Sequence, residues 1–179
     1  MKIGVISDTH IVAGGGLGLR RAASNLFYKT RPDLDILRRI GEKHFKGVDR
    51  ILHAGDLVEP EVIEALEEVA PVDAVKGNMD HGDLATQLPA KKVLTLEGKR
   101  IGLIHGWGAP GGIVDRIRRE FDVVDAIVFG HTHCPMNIVL DGVLFFNPGS
   151  PTDKRFSPYN AIGILNVDEK GITGEIIRL

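Results

Sequence analysis

Ala126-Ile127-Val128-Phe129-Gly130-His131-Thr132-His133 joins an apolar, strand-forming run to a glycine and then to two imidazoles one residue apart. Alternate residues of an extended chain share a face, so a strand ending this way delivers His131 and His133 together into a cleft. Four other stretches repeat the pattern: Val5-Ile6-Ser7-Asp8-Thr9-His10, Ile51-Leu52-His53-Ala54-Gly55-Asp56, Ala74-Val75-Lys76-Gly77-Asn78 and Gly102-Leu103-Ile104-His105-Gly106. Each is an apolar strand that stops at a ligand-type residue. Together they supply Asp8, His10, Asp56, Asn78, His105, His131 and His133 as candidate site residues.

The 179 residues fit one domain spanning 1–179, a length at which about 70% of the unfolded chain's surface is buried on folding. With 43% hydrophobic and 26% charged residues, neither a disordered nor a membrane protein is indicated. A formal net charge of −2 argues against an extended nucleic-acid-binding face. The N-terminal run reaches Asp8 too soon for the apolar region of a signal peptide. No apolar run approaches the length of about 18 residues that a membrane span needs. The single cysteine, Cys134, excludes an internal disulfide and fits a reducing, cytoplasmic setting.

Around the anchoring segment the chain alternates between strand and helix signals. Residues 2–7 read as a buried strand rich in β-branched residues. Residues 11–32 hold the glycine cluster Gly14-Gly15-Gly16-Leu17-Gly18 and the basic residues Arg20, Arg21, Lys29 and Arg31. Two readings stand for them: a surface loop with a short helix, or a flap that brings arginine to an anionic substrate. The cluster lacks the Gly-Lys-Ser/Thr ending of a Walker loop. Asp33 is placed to cap a helix running to about His44, with Leu34, Leu37, Ile40 and Phe45 on its buried stripe. A strand over 49–53 follows, then a helix opened by Pro60 with Val62, Ile63, Leu66 and Val69 inward, then a strand over 72–75. This alternation predicts a largely parallel first sheet. Beyond Pro89 the signals become hairpins: 93–96 with 100–104, 137–140 with 143–146 across Asp141-Gly142, and 161–167 with 172–179, with a helix over 113–121 between the first two. The expected fold is α/β (α+β), a two-sheet β-sandwich flanked by helices.

Taken singly, each polar residue has a plainer explanation. A strand-end Asp is commonly a cap or turn former, Asn78 a turn residue, His53 a core or supporting ring, and His44 a half-buried ring satisfied by backbone. Seven at five strand ends exceed coincidence, and they also exceed what one metal ion takes from protein. Two divalent cations bridged by a carboxylate, with Asp56 the choice of bridge, account for the number; two-metal sites about 3.5–4 Å apart serve phosphoester chemistry. A mixed nitrogen and oxygen set selects transition metals, manganese foremost with Fe, Zn, Ni or Co as alternatives, over Mg or Ca.

In order along nearly the whole chain, Asp8-Thr9-His10, Gly55-Asp56, Gly77-Asn78-Met79-Asp80, His105-Gly106, Gly130-His131-Thr132-His133 and Asn147-Pro148-Gly149-Ser150 resemble the calcineurin-like metallophosphoesterase superfamily, specifically its small bacterial and archaeal phosphodiesterase branch. The resemblance implies a four-layer sandwich with one metal held by Asp8, His10, Asp56 and His133 and the other by Asp56, Asn78, His105 and His131. It implies hydrolysis of a small phosphoester, most often a diester, by a metal-bridging hydroxide, with a phosphomonoesterase or a protein-binding scaffold as alternatives. Many members of the superfamily carry a histidine after this asparagine as proton donor; here stands Met79, which has no proton to give. Asp80 and His81 are then the candidate catalytic acids. Phe27, Tyr28 and Phe156 are either core residues or a homodimer contact.

Overall fold

Period-two alternation along the central strands sets the layering of the chain. In β1 (Lys2–Ile6), Ile3 and Val5 turn to one face and Ile6 to the other. In β6 (Ala126–Val128) and β8 (Val143–Asn147), Ala126, Val128, Leu144 and Phe146 face one way and Ile127, Val143 and Phe145 the other. Strands with two apolar faces must be covered on both, so two sheets stack through one set of faces and take helices on the other. The computed structural model describes residues 1–11 and 32–179. The glycine-rich segment with its four basic residues, together with Phe27 and Tyr28, lies outside the described residues.

The remaining strands are β2 (Arg50–His53), β3 (Val72–Ala74), β4 (Lys91–Leu96), β5 (Lys99–Ile104), β7 (Met136–Leu140), β9 (Ala161–Asp168) and β10 (Gly171–Arg178). They form two five-stranded sheets ordered β10-β9-β1-β2-β3 and β4-β5-β6-β8-β7. Helices α1 (Pro32–His44) and α2 (Glu61–Glu67) cover the first sheet, where Leu34, Leu37, Ile40, Phe45, Val62 and Leu66 are buried. Helix α4 (Ile113–Arg118) covers the second with Ile113 and Ile117. The fold is thus the expected two-sheet sandwich flanked by helices.

Three local expectations differ from the structure. The first sheet is mixed rather than largely parallel: β1, β2 and β3 are parallel, but β9 lies antiparallel to both β1 and β10. The β9–β10 hairpin is legible from sequence, whereas its choice of the free edge of β1 is a long-range event with no local signal. Helix α1 is described as Pro32–His44, so Asp33 lies inside the helix and not at its cap. Helix α3 (Gly82–Gln87) was unforeseen because only Leu84 of its six residues is buried, which leaves no apolar stripe.

Asp73 on β3 ties the sheet edges together. It is only 6% exposed and pairs with Arg50 of the neighbouring strand β2 and with Lys92 of β4 in the opposite sheet. Burial opposes its charge, but the hydrogen bonds and charges of Lys92 and Arg50 outweigh that and hold the carboxyl below the ordinary aspartate value. A carboxylate with a depressed folded pKa stabilises above its unfolded pKa, about 3.9, and loses that contribution as pH falls through the folded value. Asp73→Asn is therefore expected to lower the unfolding free energy by about 2 kcal/mol at neutral pH. In urea titrations the gap to the wild type should close below about pH 4, and a gap independent of pH would place the effect in packing instead.

Candidate metal centre

The parallel strands β1, β2 and β3 of one sheet, and β5 and β6 of the other, end on the same side of the sandwich. The loops that leave them carry the seven candidate residues. Turning so many polar side chains inward from strand ends demands unusual backbone: Asp8 (φ 54), His10 (φ 44), Asp56 (φ 58), His131 (φ 69) and His133 (φ 55) all lie in the left-handed region. Val58, β-branched, does so at φ 76. Such conformations cost on the order of 1–3 kcal/mol each and persist where surrounding bonds over-determine them.

Those bonds come from two buried carboxylates. Asp80 accepts the backbone N–H of Asp56 at 3.0 Å, Val58 at 2.7 Å and Gly77 at 2.7 Å, clamping the strained turn after β2 to the loop after β3. Asp8 accepts the N–H of His131 with both oxygens at 3.1 Å, which joins the two sheets. Two glycines make room. A Cβ at Gly130 would overlap Ser7 Oγ and crowd Asp8, and one at Gly77 would overlap the carboxylate of Asp56.

The structure brings all seven residues into one cluster. His10 Nε2 lies 3.2 Å from His133 Nε2 and 3.4 Å from Asp56 Oδ2. His133 Nε2 lies 3.3 Å from Asp8 Oδ1. On the other side His105 Nε2 is 3.4 Å from Asp56 Oδ1 and 3.1 Å from Asn78 Oδ1, and His131 Nδ1 is 3.1 Å from the same amide oxygen. Asp56 thus stands between the two halves. Asp8, Asp56, His105 and His133 are buried, whereas His10, Asn78 and His131 reach solvent, so the cluster opens on that side.

The imidazoles are oriented from behind. His105 Nδ1 donates to the Ala54 carbonyl at 2.7 Å and His131 Nε2 to the Gly108 carbonyl at 2.8 Å. With the proton placed there, the opposite ring nitrogens, His105 Nε2 and His131 Nδ1, are the ones turned toward Asn78 and Asp56, themselves electron-pair donors. Ligands about 2.1 Å from a common ion sit roughly 3.0–3.4 Å apart for octahedral or tetrahedral angles. The observed spacings fall in that range, and the donor set fits divalent transition metals. The same demand for positive charge shows in protonation. Burial lowers His105 and His133, but the carboxylates outweigh it, Asp56 and Asp8 around His105 and Asp8 with Asp153 around His133, and both end above the ordinary histidine value. Burial also disfavours the charge of Asp56, yet His105, the Met79 N–H and His10 bring its carboxyl below the usual range.

Several functional neighbours were not read from sequence. Asp153 Oδ2 lies 3.1 Å from His133 Nδ1, out of hydrogen-bond alignment, and is itself gripped by Arg155. That arginine holds its pKa down at about 2. His53, read as core or supporting, is fully buried: its Nδ1 accepts the Gly55 N–H and its Nε2 meets Thr9 Oγ1, which donates to the Asp56 carbonyl. Burial pushes its pKa down to about 4, so it stays neutral and supports the turn that presents Asp56. Ser150 Oγ and Thr152 Oγ1 donate to the carbonyls of Asp8 and Thr9 at 2.7 and 2.6 Å, which explains why the 147–152 loop belongs to the pattern. Asp80 is 4% exposed, with both oxygens engaged by backbone, and His81 is exposed at the start of α3.

Residues 1–170 match the calcineurin-like phosphoesterase superfamily domain. The chain is 36% identical over 183 residues to a probable metallophosphoesterase of Methanothermobacter thermautotrophicus, spanning 99% of this chain and 92% of that one. It is 36% identical over 176 residues to another from Methanocaldococcus jannaschii, spanning 95% and 78%. Among solved structures, an archaeal phosphodiesterase superposes with a TM-score of 0.67 at 23% identity, covering 99% of this chain and all (100%) of that one. Vps29 of Entamoeba histolytica, solved in complex with zinc, gives 0.65 at 22% identity with 99% of each chain covered. The two structural likenesses establish the fold, and the domain match with the sequence relatives establishes the kinship: the chain belongs to the calcineurin-like phosphoesterase superfamily.

Proposed function

We propose that this chain is a metal-dependent phosphodiesterase working with two divalent transition-metal ions, manganese foremost. Asp8, His10, Asp56 and His133 would hold one ion and Asp56, Asn78, His105 and His131 the other, with Asp56 shared. The observation that carries the reading is the convergence of His105 Nε2 and His131 Nδ1 on Asn78 Oδ1 at 3.1 Å each, while their other ring nitrogens are engaged by the Ala54 and Gly108 carbonyls. When bound, the cations supply Lewis acidity, which brings water's pKa toward neutrality and offsets charge on the phosphoryl oxygens.

The protein's own groups determine approach and orientation. Asn78, His131 and His10 form the accessible rim, so the phosphoester enters there and meets a neutral amide instead of a third carboxylate. Two cavities flank the cluster: one of about 920 Å³ bordered by His10 with Arg39 and Lys43 of α1, and one of about 300 Å³ bordered by Asn78 and His105. A diester has two ester arms and a monoester one, so clefts on both sides favour the diester. Departure of the alcohol receives little assistance from Met79, which carries no proton, or from Asp80, which is committed to three backbone N–H groups, and the exposed His81 is the candidate acid that remains.

Three measurements test this reading. The metal-stripped chain should gain hydrolysis of a nitrophenyl phosphodiester on addition of manganese, and Asp56→Asn should lower turnover at least about a hundredfold, as expected for loss of a shared ligand. Wild-type turnover unaffected by chelator and by that substitution would remove the metal reading, and inactivity toward every phosphoester with metal bound would favour a binding scaffold. Turnover across a series of diesters should fall steeply as the leaving alcohol becomes less acidic; a flat dependence would reveal a proton donor after all. Asp80→Asn should lower the stability of the metal-free chain by about 2 kcal/mol through its charge-assisted bonds to backbone. A proton donor would instead leave the metal-free melting temperature unchanged.

A further inference from the structure

The smaller cavity has an unusual wall. Besides Asn78 and His105 it is bordered by Lys76, Lys91 and Trp107, the last being the chain's single tryptophan and 44% exposed. An exposed aromatic alone needs no explanation. Trp107 is different because its backbone is pinned beside the metal cluster. Arg116 of α4 donates to the carbonyls of Trp107 at 3.1 Å, Gly111 at 3.0 Å and Ala109, drawing the loop into a fixed arc. The intervening Gly108 carbonyl points the other way and accepts from His131 Nε2 at 2.8 Å. Gly106 (φ 95) and Gly108 (φ 80) allow the reversals on either side of the tryptophan. The loop that orients a cluster histidine is therefore the loop that displays the indole.

We propose that this cavity is a subsite for a flat aromatic or heteroaromatic arm of the substrate, which stacks on Trp107 while the phosphoryl group lies at the cluster. The inference rests on the phosphoesterase reading and extends it to substrate class. A cavity of about 300 Å³ accepts one ring system and not a large cofactor. Rings of any base or arene present a π-face to an indole, so stacking selects aromatic over alkyl arms without selecting one base. The pinned loop lowers the ordering cost of that contact. Lys76, whose Nζ is held by the Ala85 carbonyl at 2.9 Å, adds positive charge at the edge, as an anionic ester requires.

The single tryptophan is its own reporter. Phenyl phosphate, adenosine 5′-monophosphate and methyl phosphate are titrated into the zinc-loaded full chain, with tryptophan emission and calorimetry read together. Both aromatic phosphates should bind at least about fivefold tighter than methyl phosphate and alter the emission to saturation. In Trp107→Leu that preference should shrink to within about twofold, and Trp107→Phe, which keeps a stacking face, should retain most of it. Equal or absent binding of the three phosphates by the wild type, or an undiminished preference in a Trp107→Leu chain that melts like the wild type, overturns the subsite. Hydrolysis of nitrophenyl esters is followed in parallel. A wild type that shows the aromatic preference yet cleaves no mono- or diester keeps the subsite and loses the phosphoesterase reading.

Discussion

Crowding of electron-pair donors is the constraint on which this molecule turns. Two carboxylates, four imidazoles and an amide oxygen meet at separations of 3.1–3.4 Å in a region where four of the seven are buried. Like partial charges so placed repel, and burial raises the cost by removing the water that would screen them. Folding must therefore hold the cluster against its own repulsion. It does so with backbone in sparsely populated conformations, five of the seven residues having positive φ, and with carboxylates that grip N–H groups of neighbouring loops. A bound cation would relieve the repulsion from inside, and the upward shift of His105 and His133 is the same relief obtained from protons. On the two-metal reading, metal and proton would compete for one need.

The sandwich is suited to this task because it converges strand ends. Sheets built from β1, β2, β3 and from β5, β6, β8 each run their strands in parallel, and the Asp8 carboxylate meeting the His131 N–H aligns the ends of one sheet with those of the other. Apolar packing between the sheets, by residues such as Val5, Leu52, Val128 and Phe146, fixes their separation, while close approach at Gly130 and Gly77 brings the loops within reach. Core packing and site geometry are consequently not separable: a side chain at either glycine would push on a carboxylate of the cluster.

Much of this was legible in the sequence, for a physical reason. A strand covered on both faces is written as a continuous apolar run, and its end is marked where that run gives way within a few residues to glycine and ligand-type residues, so Asp8, Asp56, Asn78, His105 and His131 announce themselves. The layers and the hairpins follow from the same local patterns. Partners distant in sequence are invisible to it: the pairing of β9 with β1, the bridge of Asp73 to Lys92 and the approach of Asp153 to His133 depend on which edges meet. Short helices without an apolar stripe, such as α3, leave no period to read.

Asp80 shows how much geometry adds to residue type. Beside Asn78 and Met79 it looks like a spare acid, yet its oxygens face the backbone of Asp56, Val58 and Gly77. Those three bonds, at 2.7–3.0 Å, tie the turn after β2 to the loop after β3. Its carboxylate is thereby a clamp for the turn that presents Asp56. On the proposed phosphoesterase reading, Met79 has no proton to give and Asp80 is taken up by backbone, so the exposed His81 is the remaining candidate acid and the walls around the cluster would carry much of the selection of substrate.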